Sequence, residues 1–104
     1  MVTLIFRAKM QAGKEDEAWE RLKKMAEAVR AQEPGALAYL FHRAQEDPSQ
    51  LVLFEVYADD AALQAHTQTP HMAGLRSVFG ELFDLTQMKV ERLERVAGFV
   101  RPEG

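Results

Sequence analysis

There is no cysteine anywhere in the 104 residues, which removes disulfides, thiolate metal sites and cysteine nucleophiles at once. No stretch approaches the ~20 apolar residues that a membrane-spanning helix needs. The start of the chain, Met1-Val-Thr-Leu-Ile-Phe-Arg7, has neither the basic opening nor the cleavage pattern of a signal peptide. A cytoplasmic protein with no membrane partner is therefore expected. A basic excess is missing as well: the formal charge is −3, and Lys and Arg are interleaved with Glu. No broad surface is offered to a phosphate backbone, so nucleic acid is not an expected partner. Glycine-rich phosphate loops, a nucleophile elbow and a Ser-His-Asp order are all absent.

What is present is a balanced globular composition, 47% hydrophobic and 28% charged. A chain of this length supports one domain, residues 1–104, burying roughly 65% of the surface its unfolded form exposes. Val2, Leu4, Phe6 and Ala8 alternate with Thr3, Ile5, Arg7 and Lys9, the period of a strand. Ala18, Leu22, Met25 and Val29 then recur at helical spacing between Lys14 and about Gln32. Glu33-Pro34-Gly35 ends that helix, because Pro disfavours helical geometry in the residue before it. Strands are expected over about 36–44 and 51–57, joined by a hairpin loop at 45–50. Asp59 or Asp60 caps a short helix through His66. Thr69-Pro70 opens another, with Thr as N-cap and Pro at the first helical position. A fourth strand follows over about 84–96, with Met88 at a core-like position, and a tail from about 97. The order predicts an α+β, ferredoxin-like βαββαβ sandwich with its helices on one face of a four-stranded antiparallel sheet.

Strands two and three are apolar on both faces: Leu51 and Leu53 oppose Val52, Phe54 and Val56, while Tyr39 and Phe41 oppose Ala38 and Leu40. Helices shield one side only. A homodimer with sheets packed face to face is expected to cover the other; the rival cover is the fourth strand or the tail folding back.

The reactive side chains gather between Phe54 and His71. Glu55 and Tyr57 share a strand face, and His66 lies three residues after Leu63, which turns it inward. Histidine is the side chain whose ordinary titration range spans neutrality, so an imidazole beside a carboxylate suits general base work. The alternative is a structural His66, bonded to a backbone carbonyl at its helix end. His71 falls in the first turn of the next helix, where a positive charge is disfavoured, and is either a neutral ligand contact or simply exposed. The gap between His66 and His71 is interrupted by Pro70 and is not the i,i+4 spacing that aligns two imidazoles on one helix. A metal held by them with Glu55 is therefore not expected. Arg7, on the polar side of the first strand, is placed to pair with an acid.

Glu33-Pro34-Gly35 with Tyr39, Phe54-Glu55-Val56-Tyr57, Ala62-Leu63-Gln64-Ala65-His66 and Thr69-Pro70-His71 together resemble the antibiotic biosynthesis monooxygenase domain family, including its quinol monooxygenase branch. The resemblance spans essentially the whole chain. It implies a dimeric α+β barrel with a pocket between sheet and helices. It also implies oxygenation of a quinol or polycyclic phenol by molecular oxygen without flavin, haem or metal, the deprotonated substrate supplying the electrons. Carried over by position, His66 becomes the base or orienting group and Glu55 its polar partner, both catalytic, with Tyr39, Tyr57 and His71 as substrate-binding wall; Phe79, at helical spacing with Leu75 and Leu82, is a further substrate-binding candidate. The haem-degrading branch is a competing reading, but it carries an Asn on the first strand and a Trp where Tyr57 stands. A noncatalytic ligand-binding or assembly module of the same fold is the other alternative, since fold does not establish activity.

Overall fold

The alternating amino-terminal segment forms β1, Val2–Met10, in the computed structural model, which describes residues 1–102. A turn at Gly13, whose φ of 81° lies in the left-handed region that glycine occupies without strain, leads into α1, Glu15–Gln32. Its first turn carries Glu15, Asp16 and Glu17, which complement the positive end of the helix dipole. Ala18, Leu22, Met25 and Val29 are all buried, as their spacing requires. The helix closes at Glu33, whose N–H donates to the Val29 carbonyl, and Ala36 N–H turns back onto the Glu33 carbonyl at 3.0 Å.

Strands β2 (Ala36–Arg43) and β3 (Gln50–Tyr57) form the expected hairpin. Its loop is fixed by Asp47, which accepts from the Ser49 backbone N–H at 3.1 Å and the Ser49 hydroxyl at 2.6 Å. Helix α2, Asp60–Thr67, is capped by Asp59, whose carboxylate accepts from Ala62 N–H at 2.8 Å. Helix α3, Pro70–Leu82, is capped by Thr69 accepting from Met72 N–H at 3.2 Å. Strand β4, Phe83–Leu93, ends three residues sooner than the sequence pattern implied, and residues 94–102 adopt neither helix nor strand. The last two residues of the expected tail lie outside the described residues.

All pairings are antiparallel and the order is β2-β3-β1-β4, the ferredoxin-like arrangement. Register places Tyr39, Glu55, Leu4 and Arg92 in one cross-strand row, and Phe41, Leu53, Phe6 and Val90 in the next. Both rows face the helices. The core between sheet and helices holds Met10, Leu22, Met25, Val29, Leu51, Leu82 and Phe83. Burying one side chain of this size stabilises by roughly 1.5–3 kcal/mol.

Two expectations change. Between Arg7 and Lys9 the β1–β4 register shifts, so residues 85–88 bulge away from the sheet, held by Asp84 accepting from Thr86 N–H at 3.0 Å and its hydroxyl at 2.7 Å. Met88 is thereby turned out, 41% exposed, instead of entering the core. The tail, for its part, does not fold back over the second sheet face: Val96, Phe99 and Val100 are each about four-fifths exposed or more. That face presents a half-buried patch of Ile5, Val52 and Phe54 beside the exposed Leu40. Arg7 does pair with an acid there, Glu91 on β4.

Candidate functional site

The helix break at Thr69-Pro70 decides the geometry of the site. Because α2 stops and α3 starts on a new axis, His66 and His71 converge on one group despite their spacing. That group is Glu33, at the C-cap of α1. Nδ1 of His66 lies 2.8 Å from Oε1 of Glu33, and Nε2 of His71 lies 2.5 Å from its Oε2. A carboxylate only accepts, so each imidazole presents an N–H to it. With the Nδ1 proton of His66 held by Glu33, the neutral form of the ring carries its lone pair on Nε2. Side-chain exposures of 8% for Glu33, 5% for His66 and 12% for His71 show that the cluster is largely removed from water.

His66 sits between two phenols, its ring centre 5.5 Å from that of Tyr39 and 5.3 Å from that of Tyr57. Tyr57 is fully buried and donates its hydroxyl to Oε1 of Glu55 at 2.6 Å. Burial pushes the Glu55 carboxyl above the usual carboxylate range, against the lowering influence of the Tyr57 bond and nearby His66. Burial, reinforced by Glu55, likewise raises both tyrosines, so they are neutral phenols at physiological pH.

A cavity of about 240 Å³ opens between the sheet and the three helices. Its wall is mostly apolar, with Leu4, Phe6 and Leu53 from the sheet and Leu63, Met72 and Leu75 from α2 and α3. Tyr39, Glu55, His66 and Thr67 are its polar groups. Phe79 lines it too and stacks on Phe83 with ring centres 4.3 Å apart. A few convergent polar groups in an apolar cleft are the usual form of a small-molecule site. A larger groove of about 650 Å³ between α1 and the β2 edge is open to solvent and holds no buried charged group.

The structure thus brings His66, Glu55, Tyr39 and Phe79 to one cavity. Tyr57 and His71 stand behind the wall: Tyr57 backs Glu55, and His71 backs Glu33. The carboxylate bonded to His66 is Glu33, whereas Glu55 is bonded to Tyr57. In the sequence Glu33 marks the end of α1 and belongs to one of the motifs of the resemblance, with no site role assigned to it. One signal was available, because an acid at a helix C-terminus faces the negative end of the dipole and requires compensation from elsewhere.

The family model described as "Antibiotic biosynthesis monooxygenase" matches residues 1–76. The chain belongs to this family. The match takes in Glu33, Tyr39, Glu55, Tyr57, His66 and His71 and stops short of Phe79. Among solved structures, PA3566 from Pseudomonas aeruginosa is 27% identical with a TM-score of 0.84, over 92% of this chain and 94% of that one. An antibiotic biosynthesis monooxygenase is also 27% identical, with a TM-score of 0.84, over 93% of this chain and 100% of that one. Rv0793 from Mycobacterium tuberculosis is 27% identical with a TM-score of 0.82, over 93% and 96% respectively. No curated protein matches the chain. No helix among the described residues is long and apolar enough to cross a membrane.

Proposed function

We propose that this member of the antibiotic biosynthesis monooxygenase family is a cofactor-independent monooxygenase that oxidises a quinol of one or two rings with molecular oxygen. The observation that carries this reading is His66, fixed through Nδ1 by Glu33 while its ring lines an apolar cavity. An imidazole held in one tautomer by a carboxylate, with the opposite nitrogen available to a ligand, is the arrangement of a positioned general base.

Size narrows the substrate. A cavity of about 150 Å³ accommodates benzene, and ligand sites ordinarily run to about 300–1,000 Å³. The 240 Å³ here suits one ring or two fused rings. A macrocycle such as haem does not fit it, and a polycyclic phenol of three or more rings would need the cavity to widen.

In the proposed reaction His66 removes a phenolic proton through Nε2, and Tyr39 and the buried Glu55 carboxyl contact the ring oxygens. The electron-rich anion then reduces O₂. One oxygen forms a bond to a ring carbon, the O–O bond breaks, and the other oxygen leaves as water. A quinol and O₂ thus give a hydroxyquinone and water, with all four electrons drawn from the quinol. The space left between sheet and helices favours this, or plain ligand binding, over an assembly module whose interior would be filled by side chains. The reading includes a homodimer formed through the Ile5, Leu40, Val52 and Phe54 face.

The experiment is oxygen uptake with a panel of hydroquinones and naphthohydroquinones, corrected for the uncatalysed reaction, for wild type and His66→Ala. Positioned proton transfer contributes about 10²–10⁴-fold, so the variant should fall to near background. Equal uptake by the two proteins would sink the role of His66.

A further inference from the structure

We infer that Glu33, His66 and His71 form a binding site for a late first-row divalent cation of the Zn²⁺ class. The donors are of the type such ions take: two imidazole nitrogens and a carboxylate. They come from three separate elements, the C-cap of α1, the last turn of α2 and the first turn of α3. One ligating atom from each lies within 4.8 Å of the others. Zinc bonds of about 2.0–2.2 Å at tetrahedral angles set neighbouring donors about 3.3 Å apart. The carboxylate must therefore back away from each imidazole by under about 1 Å while the two nitrogens draw together, a rearrangement within reach of side-chain rotation.

Charge supports the assignment independently. Glu33 is nine-tenths buried, and its charge partners among the described residues are the two histidines; no lysine or arginine reaches it. A buried carboxylate ordinarily has a permanent cation or a metal beside it. Glu33 at the C-cap of α1 and His66 in the last turn of α2 also lie at the partial negative ends of their helices, against His71 alone at the N-terminus of α3. A dication would satisfy the carboxylate and both helix ends together. The ion takes Nδ1 of His66, the nitrogen that meets Glu33. An ion on Nδ1 leaves the ring proton on Nε2, so the loaded protein should lack the base of the proposed reaction, and binding is read by calorimetry and melting rather than by activity.

Titration of the chelator-stripped protein with Zn²⁺, followed by calorimetry and by thermal melting, tests this. The expected result is one ion per chain and a melting temperature that rises with Zn²⁺ concentration. Co²⁺ in its place should give ligand-field absorption in the visible. Glu33→Gln keeps the shape of the side chain but loses the charge, and His71→Gln acts at the least buried of the three positions. Each should weaken binding by at least about 10–100-fold, the loss seen even for groups that only support metal ligands. His42→Ala removes the third histidine, exposed on β2 with Nδ1 3.1 Å from the Val52 carbonyl, and should leave binding unchanged. The inference is overturned if wild type takes up no stoichiometric ion. It is equally overturned if His71→Gln binds as wild type does, or if His42→Ala abolishes binding.

Discussion

Glu33 and His66, 33 positions apart in the chain, are joined by two contacts of 2.8 and 3.0 Å from one imidazole nitrogen to the two carboxylate oxygens. Truncating the acid strands two buried imidazoles at once. Leaving a buried polar group unpaired costs about 1–3 kcal/mol. Glu33→Ala should therefore lower the urea midpoint clearly, and Glu33→Gln, which keeps one acceptor oxygen, should do so less. A Glu33→Ala variant as stable as wild type would show that the bridge contributes nothing to the fold.

The same bond ranks the carboxylates in catalysis. If Glu33 fixes the tautomer of His66, Glu33→Gln should reduce kcat for quinol oxidation far more than KM changes, since the ring stays in place but the amide N–H can donate to Nδ1 and leave the ring proton on Nε2. Glu55→Gln should act chiefly on KM, because Glu55 lines the cavity without bonding His66. Steady-state oxygen uptake separates the two; the reverse ranking would return the orienting role to Glu55.

Glu55 also gives a pH signature. Its carboxyl is raised by burial, so its contribution to stability is fully present below the ordinary carboxylate range and is lost as pH rises through its folded-state value. Glu55→Gln removes that loss while still accepting from Tyr57. The melting temperature of the variant should thus gain on wild type as pH rises from about 4 toward neutrality, the ordinary glutamate value being about 4.3, and then level off. A gap that does not change with pH would mean that Glu55 titrates alike in both states.

Gly35, just before β2, packs closely on α2: a Cβ built there would stand 2.7 Å from Cβ of Ala62. Neither atom is the end of a flexible chain, so Gly35→Ala must push backbone apart. Overpacking of this kind costs about 1–3 kcal/mol. Adding Ala62→Gly should recover part of the loss, a coupling that a double-mutant cycle in urea measures.

For the proposed dimer, the open sheet face supplies the test. Phe54 is half-buried in the single chain, beside Ile5 and the exposed Leu40. Wild type should elute as a dimer on size exclusion, and Phe54→Lys as a folded monomer. A wild-type monomer removes the dimer from the functional reading.

Much of this architecture could be read from the chain because it is carried by local rules. The 4-3-4 spacing of Ala18, Leu22, Met25 and Val29, the Asp59 and Thr69 caps, and Pro70 at the head of α3 each depend on a few neighbouring residues. The bulge at 85–88 does not follow from the sequence, since the irregular spacing of Leu85, Met88, Val90 and Leu93 fixes no register against β1. Glu33 was missed for a related reason: its partners are 33 and 38 residues away, and only the packing of α1 against α3 brings them together. Placing His66 inward worked because Leu63 fixes the buried face of α2. Its bonding partner lay on an element whose angle no sequence period encodes.

The contact between Gly35 and Ala62 also acts as a spacer for the chemistry. Glu33 stands two residues before that contact and His66 one helical turn after it, so the closeness of two backbones sets the separation of acid and imidazole. A methyl group inserted there removes none of the reactive side chains and changes only their alignment. Because a misplacement of about 1 Å can cost 10²-fold in rate, such a protein would be a poor catalyst with a complete set of catalytic groups.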